Sequence, residues 1–168
     1  SNPEQYASLF TLFSKEIPEI CEQIHGLLIH DTDGPLYQYT IPKERVRIEV
    51  NYTSIPEILS RLLALDSSDL SFERPPEKRV VASCREFSLL LASILRHRGI
   101  PARLRYGFAT YTYPNSNFNP DHTLVEYWSE KMQRWVQVDP RTSQFHIQKK
   151  RHLIKFDIID YFNAKSIK

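Results

Sequence analysis

The strongest constraint in this sequence is a helix whose two ends are both written out. Ser83-Cys84-Arg85-Glu86 has the form of a capping box, in which a serine bonds forward to a free amide while a glutamate three residues on reaches back. Behind it Phe87, Leu90, Leu91, Ile94 and Leu95 recur at the spacing of one buried helical face. Arg96, His97 and Arg98 suit the negative end of the helix dipole, Gly99 suits a left-handed closing residue, and Pro101 is the stop. A helix bounded this way puts Cys84 at its first position, where unpaired N–H groups and the dipole favour thiolate over thiol.

Position alone makes Cys84 a candidate nucleophile, although a lone cysteine is more often plain core. A thiolate also needs a base and a group to orient that base, on elements that converge in space. Residues 102–111, 122–129 and 135–138 are rich in aromatic and β-branched side chains and read as strands, with 112–121 as a loop. His122 enters the second of these strands, and Asp139, followed by Pro140, leaves the third. If the two strands are antiparallel neighbours, a two-residue turn sets His122 opposite Asp139 and a four-residue turn makes them diagonal on one face. A three-residue turn would put them on opposite faces.

The remainder of the chain bounds the answer. Its 168 residues are enough for one domain, and a composition of 41% hydrophobic and 25% charged residues is that of an ordinary globular protein. No stretch approaches the ~18 consecutive apolar residues of a membrane span. No signal core is visible, Ser1 and Asn2 read as a cloning or processing remnant, and a cytoplasmic location is expected. The glycines are Gly26, Gly34, Gly99 and Gly107, from which neither a dinucleotide-binding fingerprint nor a P-loop can be written. With only Cys21 and Cys84 there is no zinc ribbon and no disulfide framework, and a net charge of +2 offers no bulk field to nucleic acid or membrane. No cofactor and no metal are expected.

Before the central helix, residues 3–28 carry apolar side chains at near-helical spacing with Pro18 as the boundary between two helices. Residues 30–42 read as a loop with one short extended piece. Ser54-Ile55-Pro56-Glu57 announces another capped helix, and Pro75-Pro76 closes a linker. Cys21, His25 and His30 lack a fourth metal ligand, so a core cysteine beside a partly exposed histidine is the better reading. Asp31-Thr32-Asp33-Gly34 lacks the later acidic ligands of a calcium loop and reads as an Asx-type turn. Arg96, Arg98, Arg103 and Arg105, near Tyr106 and Phe108, read as a salt-bridged or solvated face, and Lys149-Lys150-Arg151-His152 as a solvated turn.

Several runs together resemble the transglutaminase-like superfamily, most nearly its compact bacterial members. They are Ser83-Cys84-Arg85-Glu86-Phe87; Leu95-Arg96-His97-Arg98-Gly99-Ile100-Pro101-Ala102-Arg103; Gly107-Phe108-Ala109; Asp121-His122 with Glu126-Tyr127-Trp128; and Trp135-Val136-Gln137-Val138-Asp139-Pro140. The family often has Gly or Gly-Asp before the cysteine, where this chain has Ala82-Ser83. The resemblance implies an α+β, papain-related fold in which N-terminal helices and the nucleophile helix pack on an antiparallel sheet. It implies a core over about residues 73–140 and a helical part over about 3–66, within one domain spanning 1–168. It also implies a triad of Cys84 as nucleophile, His122 as general base and then acid, and Asp139 as orienting carboxylate.

The expected activity is hydrolysis or acyl transfer at an amide carbonyl through an acyl-enzyme, with hydrolysis preferred because water is always at hand. The substrate would be a peptide or protein amide, with a primary amine as the optional acceptor. The Cys84 backbone N–H is one expected oxyanion donor, and Asn51, Tyr52 and Gln38 are candidates for the second. The rival reading is a non-catalytic interaction domain that keeps the fold; a weaker one is an RNA-binding module. At the C-terminal end the apolar run over 153–162 lacks a partner in the polar tail. The native chain is therefore expected to continue past Lys168, or to cover Ile159 and Phe162 by self-association. The oligomeric state is left open.

Overall fold

A computed structural model of the chain describes residues 2–108 and 120–142. The expected 112–121 loop lies almost entirely outside these residues. So do the basic run at 149–152 and the apolar run at 153–162 with Ile159 and Phe162.

The N-terminal part is helical. A 3-10 helix, Glu4–Leu12, buries Phe10 and leads into α1, Ile17–Leu27, which turns Ile20, Cys21, Ile24 and Leu27 into the core. Two helical elements are found, as the sequence suggested, with the break at residues 13–16; Pro18 marks the start of the second, in the first turn of α1, where its missing N–H would have no acceptor anyway. Leu28 is not helical: it opens β1, Leu28–His30. This strand pairs in parallel with β2, Val80–Ala82, so that Leu28, Ile29 and His30 lie beside Val80, Val81 and Ala82. Parallel pairing buries both strands almost completely.

Between these strands lie α2, Lys43–Glu49, and α3, Ile55–Leu65, the latter closed by the expected Ser54–Glu57 box. The buried Glu49 carboxylate ties this region together. It accepts from Arg45 Nε at 2.8 Å, from Arg61 Nη2 at 2.9 Å and from the Val81 backbone N–H at 2.7 Å. Burial alone would push this carboxyl up, but the Arg45, Val81 and Arg61 hydrogen bonds outweigh it and hold Glu49 below its ordinary value.

The expected central helix is α4, Cys84–His97. Gly99 follows it at φ +76°, the left-handed conformation that glycine adopts without steric penalty. An antiparallel sheet then forms in the order β3, Ala102–Phe108; β4, Asp121–Ser129; and β5, Arg134–Val138. Helix α4 packs on β4 and β3, and Leu90, Leu91, Ile94 and Leu95 join Val125, Val138, Ile24 and Leu62 in one apolar cluster. The buried Ser88 hydroxyl donates to the Thr123 carbonyl at 2.8 Å and fixes where the helix crosses the sheet. No helix among the described residues is long and apolar enough to cross a membrane.

Breaking a buried ion pair by removing one charge strands the other, at a cost of about 3 kcal/mol. Glu49→Gln should therefore lower unfolding stability by about that amount, while Glu57→Gln, at an exposed helix cap, should cost about 1 kcal/mol. Urea denaturation of the two variants checks this, and equal losses would remove the bridging role of Glu49.

Candidate active site

Cys84 stands where β2 ends and α4 begins. The Ser83 backbone N–H and hydroxyl each donate to Glu86 Oε2 at 2.7 Å, and the Arg85 N–H donates to Ser83 Oγ at 3.3 Å. Arg85 in turn donates from Nε to Glu86 Oε1 at 2.7 Å and from Nη2 to the Val50 and Tyr52 carbonyls at 2.9 and 3.3 Å. These bonds fix the first turn on both sides of the cysteine. The Cys84 N–H belongs to the helix-initial set with no intrahelical acceptor, and its thiol is partly exposed, whereas Cys21 is fully buried.

His122 and Asp139 come from the sheet. The β4–β5 register pairs Ser129 with Arg134 and Val125 with Val138, so the connecting turn has four residues, 130–133, with Gln133 at φ +49°. Continuing the register sets Asp139 beside Leu124, diagonal to His122. That is the outcome in which the two side chains meet: His122 Nε2 donates to Asp139 Oδ2 at 2.9 Å. The same carboxylate accepts from the Arg141 backbone N–H on Oδ1 at 3.0 Å and from the Thr142 hydroxyl on Oδ2 at 3.2 Å. Cys84 lies close enough to His122 to help hold its proton, and because Nε2 is taken by Asp139 the nitrogen left to face the sulfur is Nδ1. The three residues singled out from the sequence thus meet at the junction of α4 with the sheet.

The electrostatics of the histidine follow from this contact. Burial by itself pulls an imidazole down, but the Asp139 charge and hydrogen bond, with the Cys84 contact added, push His122 up to about 10. Cys21, on α1, lies close enough to feel Asp139, and burial first and that charge second push its thiol up.

The other sequence expectations divide. Arg103 and Arg105 both pair with Glu126, at 2.8 and 3.4 Å, as a salt-bridged face requires, and Arg103 lies over the Trp135 ring. His25 is buried against Phe87, with ring centroids 5.0 Å apart, rather than partly exposed. Among the described residues no group of three or more His, Cys, Asp or Glu side chains is placed to hold a metal ion. Of the suggested oxyanion donors, Asn51 gives its amide to the Arg47 carbonyl at 2.7 Å, and Gln38 ends a short 3-10 helix in a left-handed conformation. Neither these two nor Tyr52 bonds Cys84 or His122 among the described residues. Sequence reasoning missed Asp33 and Arg141. They pair at 2.8 Å across 108 positions, Asp33 buried and Arg141 half-buried, and the Asp33 carboxylate serves this contact where only an Asx-type turn was expected.

Helix α4, starting at Cys84, packs on a three-stranded antiparallel sheet that carries His122 and Asp139 at its edge, an α+β arrangement. Residues 66–140 match the family model of the transglutaminase-like superfamily, and over that stretch the chain is a transglutaminase-like superfamily core domain. Neither the curated proteins nor the solved structures contain a match to this chain.

The histidine holds its proton more tightly folded, up to about 10, than unfolded, near 6.5. The stability it lends is therefore complete below about pH 6.5 and is lost as pH rises through about 10. Thermal unfolding midpoints should fall across that window, and Asp139→Asn should flatten the fall. A slope unchanged by Asp139→Asn would rule out this coupling.

Proposed function

We propose that this chain is a cysteine-dependent enzyme acting at an amide carbonyl of a peptide or protein, by hydrolysis or by transfer to a primary amine. The observation that carries the reading is the continuous contact from Cys84 through His122 to the buried Asp139, built within a transglutaminase-like core. Cys84 is the nucleophile: its Sγ attacks the carbonyl carbon, and the oxyanion that forms is met by the Cys84 N–H at the positive end of α4. The proton held on His122 passes to the leaving nitrogen, the C–N bond breaks, and a thioester remains on Cys84. His122 then takes a proton from water, or from an amine, as that molecule attacks the thioester, the C–S bond breaks, and the thiolate beside the protonated imidazole is restored. Asp139 keeps Nδ1 turned to the sulfur and stabilises the imidazolium formed along the way.

The experiment is alkylation with iodoacetamide, followed by intact mass, and then turnover of peptide amides with and without a primary amine. Cys84 should label far faster than Cys21 in the native protein. Cys84→Ala should abolish turnover, and His122→Ala should lower it by about 10²- to 10⁴-fold with far-ultraviolet circular dichroism unchanged. Asp139→Asn should leave reduced turnover on an intact fold. Free acid as the product assigns hydrolysis, and a new amide assigns transfer. Native labelling of the two cysteines at equal rates, or full turnover without Cys84, would overturn the reading.

A further inference from the structure

Cys84 is delivered by the helical side of the molecule and His122 with Asp139 by the sheet, so their separation depends on how firmly the two sides are held in register. Ser88 and Thr123 supply one tie, one helical turn beyond the cysteine. A second tie runs through the turn that follows β1. There Asp33 donates its backbone N–H to the His30 carbonyl at 2.9 Å, and the Asp33 carbonyl accepts from the Leu36 N–H at 2.9 Å. A Cβ on the next residue, Gly34, would collide with the Tyr39 carbonyl, which keeps this turn tight. His30 lies beside Ala82, two residues before Cys84, and Asp31 donates its N–H to the Ala82 carbonyl at 3.0 Å. The turn is therefore fastened directly to the strand that leads into the cysteine.

From this turn the Asp33 carboxylate accepts from Arg141 Nη2 at 2.8 Å, with side-chain exposures of only 6% and 16%. Arg141 is also the residue whose backbone N–H holds Asp139 Oδ1. The contacts close a ring: Cys84, Ala82, His30, Asp33, Arg141, Asp139, His122 and back to Cys84. A desolvated pair of this kind contributes little net stability, and register is its best-attested use. Among the described residues, Cys21 from α1 and Arg141 and Thr142 from its own turn face Asp139 besides His122, and Asp33 is paired to Arg141 beyond them.

We propose that Asp33 and Arg141 are positioning residues, a clasp that holds the Asp139 turn against the strand before Cys84 and so presents the imidazole to the sulfur. The inference rests on the function proposed above and extends its machinery to a pair that touches no reacting atom.

The test compares wild type, Asp33→Asn, Arg141→Gln and the double variant. Each is followed by the rate of Cys84 alkylation with iodoacetamide from about pH 5 to about pH 10 and by its unfolding midpoint. Each single variant should lose stability, because one charge of the pair loses this partner, and should alkylate about tenfold more slowly near neutral pH. The double variant strands no charge and should regain most of the stability but not the alkylation rate. Recovery of both in the double variant, or a wild-type rate in any folded variant, would overturn the clasp. A wild-type Cys84 no faster than a free cysteine peptide would instead overturn the proposed function itself. Should the double variant not fold, Arg141→Lys, which keeps the charge but not the reach of the guanidinium, is read by the same rate and profile.

Discussion

Glu86 has none of its surface in water, and a carboxylate removed from water in this way costs several kcal/mol unless every lone pair is met. The partners that meet it, the Ser83 N–H and hydroxyl and the Arg85 guanidinium, exist in that arrangement only if α4 begins where it does. A start one residue earlier or later would turn the helix by about 100° and carry its apolar stripe off the sheet. Leu90, Leu91, Ile94 and Leu95 would lose Val125 and Val138, and Ser88 would lose the Thr123 carbonyl. One buried charge therefore sets the phase of the helix, and with it the place of Cys84 relative to His122. Arg85 carries the same constraint outward, because its Nη2 also binds the carbonyls of Val50 and Tyr52 at the end of α2.

What could be read in advance follows from how local each signal is. Helix α4 declares both its ends within a few residues, so its start, its buried face and Gly99 could all be placed from sequence. Strands β3 to β5 are long enough to show β-branched and aromatic enrichment. The meeting of His122 with Asp139 stayed open between three turn lengths, because a one-residue change reverses the face. The four-residue turn is accommodated by Gln133 in the left-handed region, which nothing in the sequence 130–133 announces. Strands β1 and β2 have three residues each, too few to show any period, and α2 is so rich in charge that no apolar stripe marks it. Asp33 and Arg141 were invisible for another reason: their pairing is a product of the whole topology, with no local pattern on either side.

The parallel pairing of Leu28–His30 with Val80–Ala82 bears on the order of assembly. Closing a loop of about 50 residues costs roughly 3.5 kcal/mol of chain entropy, while three residue pairs return only a few hydrogen bonds worth about 1 kcal/mol each. The pairing cannot stand by itself; it holds once α2 and α3 have condensed and Glu49 has captured the Val81 N–H. Helix α4, made of near-neighbour contacts, carries no such entropic debt and can form before the strand that delivers its first residue is docked. The cysteine would then have its dipole and its cap while still remote from the imidazole. The chain thus acquires its capped cysteine early and the approach of that cysteine to His122 and Asp139 only when its slowest, longest-range contacts close.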